Sequence, residues 1–428
     1  MQRRDFLKRG AEALPALASA AALLGSGRSL VPAPAWAQGD AVDERFWAQV
    51  RQQFPLTRDR TYLNNGGLGP SPYVAIRAVQ DKMDELEQIS ETGHSHELWQ
   101  SIKEVAARAM GCLAEELAYT RNTTEGVSIV CNGLRLKRGD EVITSTHEHV
   151  GNTMAWLARQ RRDGIVLKVF EPSLTSAAEN VERIEQLITR RTRALSISHV
   201  TTATGQVLPV REIGQVAARH DLFYFIDGAQ SAGMMPLDMA GIGCHAYATS
   251  GHKWLLGPKG TGLLFVRRDK LDAVEAKFVG AYSNEGDLDL RTGQFQLNST
   301  AQRYEYGTVS VPLFVGLGAA VQFLLDLGLE NVWRRDHAMA TRLMEGLEGV
   351  GARVLSPRHP DEHSAIVTFR VDGMSKDDLQ GFLSRKYQLR TRGIYEGGLD
   401  AVRVSLHLYN SYAEVERVVE GVRAAMAA

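Results

Sequence analysis

Residues 250–262, SGHKWLLGPKGTG, place one lysine, Lys253, between His252 and Trp254 and follow it with three glycines within ten positions. Lysine is normally a solvated surface residue. Beside a histidine and a tryptophan it is expected to be partly desolvated, which lowers the pKa of the ammonium group and frees the neutral, nucleophilic amine. A lone lysine in a glycine-rich loop is more often a plain surface residue, so the surrounding motifs decide between the two interpretations.

The size and charge of the chain restrict its class. Its 428 residues suffice for two or three domains, and 44% of them are hydrophobic and 23% charged, as in ordinary globular proteins. The 49 Lys and Arg residues nearly balance the 50 Asp and Glu residues, so no basic stripe points to nucleic acid or to an anionic membrane. We therefore expect a globular protein without a nucleic-acid partner.

The first 37 residues predict an export signal. Arg3 and Arg4 precede an apolar, alanine-rich stretch, and APAWAQ ends in a small-x-small cleavage site at Ala35 and Ala37. This pattern resembles a twin-arginine signal, so residues 1–37 would be removed and residues 38–60 would form an N-terminal segment. The apolar run stops well short of the roughly twenty residues that a membrane span requires. We expect no stable membrane insertion, with an uncleaved anchor as the minor alternative.

The predicted export route has two consequences. The twin-arginine translocase moves folded proteins, so a cofactor could travel to the periplasm inside its enzyme. Cys112, Cys131 and Cys244 are odd in number, far apart and without a CxxC motif, so we predict small buried side chains rather than a disulfide framework.

Strand-like and helix-like segments alternate from residue 61 to about residue 270, which predicts an α/β fold with an open, mostly parallel, seven-stranded sheet. We expect a large domain over residues 61–309. Beyond it, two consecutive helices lead into a smaller α+β domain, so residues 310–428 form the bridging helices and the C-terminal domain. The strand candidates are 117–120, 141–146, 165–170, 194–200, 222–226, 246–250 and 262–266.

Four motifs follow predicted strands, at the edge of a doubly wound sheet where ligands collect. TRNTTEGV opens a helix with Thr123 and Thr124, whose hydroxyls and N–H groups suit a phosphate, although a plain N-cap is commoner. In YFIDGAQSAG a buried strand delivers Asp227. A carboxylate there is costly unless it is paired, for example with a pyridinium N–H, and an Asp that caps the next turn is an equal alternative.

The other two motifs, STHEHVGN and SGHKWLLGPKG, supply the remaining residues of a predicted binding site. STHEHVGN carries His147 and His149 without the HExxH spacing, so we expect no metal, and His149 could stack on an aromatic cofactor. The four motifs together predict a pyridoxal phosphate site. In this interpretation the phosphate lies at Thr123, Thr124, Ser250 and His252, the ring nitrogen at Asp227, the ring face at His149, the phenolic oxygen at Gln230 and the aldehyde at Lys253.

The motifs TTEG, EHVGN, DGAQS and SGHKWLLGPKG, in this order, resemble the class V aminotransferase family of fold type I pyridoxal-phosphate enzymes, which includes cysteine desulfurases, kynureninases and isopenicillin N epimerase-like proteins. The resemblance runs from YLNNGGLGPSP to VRVSLHLYNSYAEVERV, nearly the whole chain after the signal. It implies that Lys253 holds the cofactor covalently and that His149 stacks on its ring. It also implies that Thr308, in YGTVS, reaches the phosphate of a partner subunit, so a homodimer is expected.

Departures from the subgroups narrow the reaction that the resemblance implies. Desulfurases carry a cysteine on a late loop, and the corresponding stretch RTRGIYEGGLDAVR has none, so we expect that the chain is not a cysteine desulfurase. Thr202, in SHVTTATGQVLPV, stands where desulfurases carry an asparagine near the cofactor oxygen. This segment is closer to epimerase-like members and to exported relatives that tailor peptide siderophores. For the substrate carboxylate we choose Arg392 by its position in the late loop, with Arg403 and Arg390 behind it.

The leading hypothesis is an exported enzyme that acts on the amino group of an amino acid or a peptide-like natural product by transamination-type chemistry. Siderophore tailoring is one role that such an enzyme could have. Lys253 would move the α-proton, and Asp227 would keep the pyridine nitrogen protonated. The place to which the proton returns separates transamination from epimerisation, and the motifs barely distinguish the two. The alternatives are an epimerase or lyase and a cofactor-binding protein without turnover, which the acid/base groups around Lys253 disfavour.

Overall fold

The chain alternates strands and helices along most of its length. The structure, a computed structural model, describes residues 43–428. The predicted signal at residues 1–37, and residues 38–42 of the N-terminal segment, lie outside the described residues. The strands are β1 (Thr61–Tyr62), β2 (Leu117–Thr120), β3 (Glu141–Ser145), β4 (Val166–Phe170), β5 (Thr192–Ser198), β6 (Phe223–Asp227), β7 (Ala246–Ser250), β8 (Gly262–Val266), β9 (Asn284–Asp289), β10 (Gln294–Leu297), β11 (Arg353–Val354), β12 (Ile366–Arg370), β13 (Leu389–Arg390), β14 (Arg392–Ile394) and β15 (Ala401–Ser405).

Helices separate most of these strands, and short 3₁₀ turns include one at Glu396–Gly398. The α-helices are α1 (Glu44–Arg51), α2 (Tyr73–Gln88), α3 (His96–Met110), α4 (Thr123–Gly133), α5 (Val150–Asp163), α6 (Ala177–Leu187), α7 (Val210–Arg219), α8 (Met239–Ile242), α9 (Val311–Leu327), α10 (Leu329–Gly349), α11 (Lys376–Tyr387) and α12 (Tyr412–Met426).

The central sheet contains seven strands in the order β2-β8-β7-β6-β5-β3-β4. Strand β8 runs antiparallel to its neighbours β2 and β7, and the other neighbours in this sheet pair in parallel. Every residue of β3, β7 and β8 is buried. Such burial on both faces is typical of a parallel sheet that is covered by helices. The predicted α/β fold with a mostly parallel seven-stranded sheet is therefore confirmed.

The strand order reverses at β3. From β3 the chain passes outward to β4 at the sheet edge and then returns to β5 on the other side of β3. In an open α/β sheet, ligands bind beyond the carboxyl ends of the strands at such a point. The register places Ser198, the last residue of β5, beside Asp227, the last residue of β6. The loops that follow β3, β5 and β6 therefore meet at one edge.

A second sheet, in the order β11-β12-β15-β14, is antiparallel throughout. Its strands share a buried hydrophobic cluster with α10, α11 and α12, to which Leu343, Phe369, Leu383 and Val418 belong. The parallel pair of β1 with β13, and a bridge between Asn64 and Ser405, join the chain before α2 to this part of the fold. The division into domains at residue 310 stays a prediction.

The apolar helix α9 lies in the core, where its residues pack among those of the central hydrophobic cluster. Within residues 43–428, no single helix has the length and apolar character needed to cross a membrane. Helices α9 and α10 meet that criterion only when taken together, and they are bent by 78° where they join.

Candidate active site

Lys253 lies in the turn after β7, and its side chain lines a cavity of about 340 Å³. Backbone contacts fix this turn: Gly69 N donates to His252 O at 2.7 Å, and Gly257 N donates to Gly251 O at 2.7 Å. A side chain at Gly69 would place its Cβ 2.1 Å from Lys253 O, so the segment before α2 approaches the turn more closely than any other residue type would allow. The glycine-rich sequence thus serves a tight approach of two backbone segments.

Burial controls the acidity of the Lys253 amine. It lowers the pKa of the amine to about 8, while the Asp227 carboxylate opposes the change and the guanidinium groups of Arg403 and Arg392 reinforce it. A lysine with this pKa is partly neutral near physiological pH and can act as a nucleophile or base. The expectation of a desolvated lysine is matched by this environment.

Asp227 ends β6 at the same cavity. Its Oδ1 accepts a hydrogen bond from Ala229 N at 3.0 Å, and burial raises the pKa of its carboxyl group, with Lys253 acting in the opposite direction. A buried carboxylate is stabilised by a cation or an N–H donor brought close to it. A protonated ring nitrogen would supply that partner.

The N-terminus of α4 forms another wall of the cavity. Asn122 caps the helix by accepting from Glu125 N at 3.0 Å, and Thr123 Oγ1 lies 2.6 Å from Ser250 Oγ. Thr124 and Asn122 also line the cavity. Free N–H groups at a helix start, together with hydroxyl groups, favour an anion such as a phosphate.

His252 and His149 are both held neutral by burial, which lowers the pKa of each imidazole to about 4 with Lys253 as a secondary cause. The buried Nδ1 of His252 has no hydrogen-bond partner among the described residues. His149 caps α5, and its Nδ1 accepts from Gly151 N at 3.1 Å, which fixes the plane of the ring against the cavity. An unpartnered ring nitrogen beside the helix start is suited to a phosphate, and a fixed neutral ring is suited to stacking.

The loop that carries His149 is anchored by Glu148. Its carboxylate accepts from Ser145 Oγ at 2.6 Å, from Ser198 Oγ at 2.6 Å and from Asn152 Nδ2 at 2.9 Å. Glu148 is therefore engaged by hydroxyl and amide donors. Within the described part of the chain, no group of three or more His, Cys, Asp or Glu side chains is arranged to hold a metal ion.

Two guanidinium groups face the cavity from the second sheet. Arg403, on β15, is fully buried and donates to Thr202 Oγ1 at 2.8 Å and to Asn64 Oδ1 at 3.2 Å. Arg392, on β14, donates to Glu396 in a short ion pair. Arg390, the third candidate, donates to Thr391 O and does not line the cavity. The ranking by sequence position put Arg392 first, whereas Arg403 is the guanidinium that neutral side chains hold in place.

Two predicted cofactor contacts lie outside this cavity lining. Gln230 is buried beside it, donating to Gly66 O at 2.9 Å and accepting from Trp254 Nε1 at 2.8 Å. Thr308 lines a different cavity of about 680 Å³. The structure brings the other predicted residues together around one space: Thr123, Thr124, His149, Thr202, Asp227, Ser250, His252, Lys253, Arg392 and Arg403.

Sequence reasoning missed one wall of the site. Gly66 and Gly67 line the cavity, and Asn64 holds Arg403. The only signal was the turn-rich stretch LNNGGLG, which nothing in the sequence connects to residues more than three hundred positions away. Asn122 was passed over as the residue before the two threonines, although its type is among the strongest N-caps.

The residues present fit pyridoxal phosphate. A helix start with an unpartnered histidine nitrogen suits its phosphate, a buried carboxylate suits its ring nitrogen, and an amine whose pKa is lowered suits its aldehyde. These three features surround a single cavity.

Comparison with known proteins extends the likeness to most of the chain. The profile of the family described as Aminotransferase class-V matches residues 83–418. An isopenicillin N epimerase of Amycolatopsis lactamdurans is 31% identical over 396 residues, which cover 88% of this chain and 98% of that protein. A probable cysteine desulfurase of Methanothermobacter thermautotrophicus is 28% identical over 395 residues, covering 87% of this chain and 96% of that protein.

Solved structures of similar proteins share the fold of this chain. The complex between the cystine C–S lyase C-DES and its reaction product cysteine persulfide superimposes with a TM-score of 0.79 at 28% identity, covering 87% of this chain and 99% of that one. A lysine-to-alanine variant of C-DES, with glycine covalently linked to the PLP cofactor, gives a TM-score of 0.79 at 28% identity and covers 87% of this chain and 98% of that one.

The sequence-based prediction excluded a cysteine desulfurase, and this prediction is wrong. Relatives that align with 87% of the chain are named probable cysteine desulfurases, and the neighbouring structures include desulfurases and a cystine C–S lyase. The exclusion assumed that an enzyme cysteine must accept the sulfur. The product of C-DES is cysteine persulfide, so sulfur can leave on a small molecule and a late loop without cysteine does not rule out cleavage of a C–S bond.

Proposed function

The chain belongs to the class V aminotransferase family and its cofactor is pyridoxal phosphate, and from this premise we propose that it removes the α-proton of an amino acid, or of the amino-acid unit of a peptide-like natural product, in a transamination-type reaction. The observation that carries the proposal is that Lys253 and two arginines, Arg392 and Arg403, line one cavity. An amine base and a carboxylate receptor are the two groups that such a substrate requires.

When bound, pyridoxal phosphate supplies an aldehyde that condenses with amines and a protonated ring that accepts the electron pair of the broken Cα–H bond. Asp227 keeps a proton on the ring nitrogen, because a buried carboxylate is stabilised by an adjacent N–H donor. Lys253 would hold the cofactor through its aldehyde, and its amine, when free, would take the α-proton of the substrate. Its pKa of about 8 keeps both the neutral and the protonated amine accessible near neutral pH.

Arg403 orients the substrate by binding its carboxylate. Its guanidinium is fixed by the hydroxyl of Thr202 and the side-chain oxygen of Asn64, so little side-chain freedom is lost when a carboxylate binds. A carboxylate held there positions the α-carbon toward Lys253, which lines the same cavity.

The cavity favours return of the proton from one face. Among its described lining residues, Asp227 is assigned to the ring nitrogen, His252 to the phosphate and His149 to the ring face, which leaves Lys253 as the base. A single base that takes the α-proton could also return it on the same face, to the cofactor's aldehyde carbon on the other side of the substrate nitrogen, as transamination would require. Epimerisation needs a proton donor on the opposite face of the α-carbon.

A second candidate is cleavage of a substrate C–S bond. The relatives named desulfurases and the C–S lyase neighbour support it. The same Lys253 would remove the α-proton, and the electron pair of the C–S bond would leave with the sulfur of the substrate. No group beyond those already assigned is needed.

The test is a titration of the purified, cofactor-loaded protein with a panel of amino acids, including cystine, in D₂O. We expect exchange of the α-hydrogen for deuterium and formation of a 2-oxo acid, accompanied by loss of the yellow cofactor band. Lys253→Ala should abolish both, and Lys277→Ala, which removes an exposed ammonium outside the cavity lining, should retain them. An inverted α-carbon without oxo acid would contradict transamination, and sulfur release from cystine would establish the second candidate.

We also propose export to the periplasm, supported by the Arg3-Arg4 pair and the site after Ala37. The expected outcome is a mature N-terminus at Gln38 in the periplasmic fraction and cytoplasmic retention of a variant with both arginines changed to lysine. Siderophore tailoring rests on the export signal and on the resemblance of the segment SHVTTATGQVLPV to exported relatives, and a deletion strain that makes an unaltered siderophore would dismiss it.

The homodimer is likewise a proposal. Thr308 lines the cavity of about 680 Å³ together with Arg121 and Glu125, at the start of α4 and next to the phosphate end of the site. A second copy that enters this space could bring its own Thr308 to the phosphate. Sedimentation should give the mass of a dimer, and Thr308→Ala should weaken cofactor retention.

A further inference from the structure

Two guanidinium groups converge on one hydroxyl in the candidate site. Arg403 Nη1 lies 2.8 Å from Thr202 Oγ1, and Arg392 Nη1 lies 3.5 Å from the same atom. The proximity of Arg392, added to burial, lowers the pKa of Arg403 to about 9. Two cations this close, in a partly buried place, call for compensating negative charge.

Within the described part of the chain, only Arg392 of the two forms an ion pair with a carboxylate. Glu396 accepts from Arg392 in a short ion pair and from Tyr395 N at 3.3 Å, and its side chain is only 6% exposed. Arg403 has neutral partners, and the ion pairs of residues 43–428 include no carboxylate for it. Arg403 is therefore available to an incoming carboxylate, whereas Arg392 is neutralised in place.

We propose that Glu396 determines the charge of the substrate side chain: the site takes a substrate with one carboxylate, bound by Arg403, and rejects a second carboxylate near Arg392. The proposal rests on the proposed function, which places the substrate carboxylate at Arg403. It extends that function by naming the substrate class as amino acids whose side chain is not acidic.

A second substrate carboxylate is rejected because it would have to displace Glu396 from Arg392. A second carboxylate could bind Arg392 only by separating it from Glu396, which would leave a buried carboxylate without its cation. If the pair stayed intact, two carboxylates would share one guanidinium and repel each other. Replacing Glu396 by a neutral residue removes both penalties and leaves Arg392 as a free receptor.

The test compares binding of succinate and glutarate with binding of their monoamides, which have the same shape and one carboxylate fewer. None of these probes has an amino group, so calorimetry on the cofactor-loaded protein measures binding without turnover. The wild-type protein should bind each monoamide at least about ten-fold more tightly than the diacid. Glu396→Gln, and Glu396→Ser as a second variant, should shift this ratio at least about ten-fold toward the diacid.

Two further variants assign the effect. Glu396→Gln combined with Arg392→Gln should return the ratio toward its wild-type value, because the freed receptor is gone. Asp400→Asn, which removes an exposed carboxylate from the same loop, should leave the ratio unchanged. An unchanged ratio in both Glu396 variants, or a shift that persists without Arg392, would overturn the proposal.

Arg403→Gln separates the proposal from the function on which it rests. Loss of binding of all four probes is expected. If the wild-type protein binds none of the probes, or Arg403→Gln binds them as well as the wild type does, the carboxylate receptor of the proposed function is wrong and this proposal falls with it. If Arg403→Gln abolishes binding but the Glu396 variants keep the wild-type ratio, only the present proposal fails.

Discussion

The acidity of Lys253 predicts how fast the protein takes up its cofactor at different pH values. The neutral amine attacks the aldehyde, and its pKa of about 8 means that the neutral fraction rises with pH and levels off above that value. The rate of cofactor uptake by the apoprotein, followed by stopped-flow absorbance, should therefore climb through pH 8 and then reach a plateau.

The variant Arg403→Gln tests what lowers the pKa of the Lys253 amine. Removing a nearby cation favours the ammonium form of Lys253, so its pKa should rise and the plateau should begin at a higher pH. Lys277→Ala, which removes an exposed ammonium outside the cavity lining, should leave the profile in place. A profile that is flat around pH 8, or one that moves downward in Arg403→Gln, would count against this account.

Residue types and strand ends sufficed to predict most of the residues that line the cavity. They did not suffice to predict which arginine is available to the substrate carboxylate. Arg392 ranked first because it lies in the late loop, and its ion pair with Glu396 depends on how that loop folds over the sheet. The spacing of four residues between the two was visible, but it predicts an ion pair only for a helix. Here a strand and the turn after it bring the two side chains together. Arg403 gains its place from Asn64 and Thr202, both remote in sequence.

Buried strands were the most predictable elements. Apolar runs located β2, β7 and β8 at their observed bounds, and β5 and β6 within two residues of their ends. The hairpin of β9 and β10 was missed, because its residues are polar or exposed and show no sustained alternation. The two-residue strands β1 and β13 depend entirely on each other and leave no local pattern.

The N-cap of α4 predicts a coupling between helix stability and cofactor binding. Asn122→Ala removes the hydrogen bond to Glu125 N and should cost about 1 kcal/mol of unfolding free energy. Because Asn122 lines the cavity at the phosphate end, the same change should also weaken cofactor affinity. Urea unfolding and cofactor titration measure the two effects separately.

Ser411 provides the matched control for that prediction. It caps α12 by accepting from Glu414 N at 3.3 Å, away from the cavity lining. Ser411→Ala should lose a similar amount of stability, about 1 kcal/mol, without a change in cofactor affinity. Equal affinity losses in the two variants would mean that Asn122 acts only through overall stability.

The close approach of Gly69 to the Lys253 turn predicts that the site does not tolerate a side chain at position 69. In Gly69→Ala the new Cβ would lie 2.1 Å from Lys253 O, so the turn must shift and the amine must move with it. We expect a protein that folds but loses most of its cofactor-linked absorbance. Gly349→Ala, at the end of α10 where a Cβ meets nothing within 4 Å, should keep the absorbance of the wild type. Normal absorbance in Gly69→Ala would show that the approach is not needed.

At the scale of the whole molecule, a buried pair, His407 and Asp336, links the two larger sheets at the Lys253 turn. His407, just after β15, has Nδ1 2.6 Å from Asp336 Oδ2 on α10 and Nε2 3.3 Å from Trp254 O, the carbonyl that follows Lys253. Both His407 and Asp336 are fully buried. The sequence could not reveal this connection, because its members lie in three segments whose patterns indicate only a helix, a strand and a turn.

Breaking this pair should weaken the fold and the site together. Asp336→Ala leaves a buried imidazole N–H without its acceptor, and an unsatisfied buried donor typically costs about 1–3 kcal/mol. Asp336→Asn keeps an oxygen that can accept from Nδ1–H, so it should cost less. Urea unfolding measures the stability, and the visible absorbance of the bound cofactor reports on the Lys253 turn. Both should change in the order wild type, Asp336→Asn, Asp336→Ala.

An exposed ion pair between α10 and α12 provides the control for that measurement. Arg342 Nε lies 2.8 Å from Glu416 Oε1, and their side chains are 58% and 53% exposed, so solvent screens the interaction. Glu416→Ala should therefore leave both readouts close to wild type. If Asp336→Ala unfolds at the same urea concentration as Glu416→Ala, the buried pair does not hold the two sheets together. If Asp336→Ala loses stability but keeps the wild-type absorbance, the contact with Trp254 O does not position the lysine.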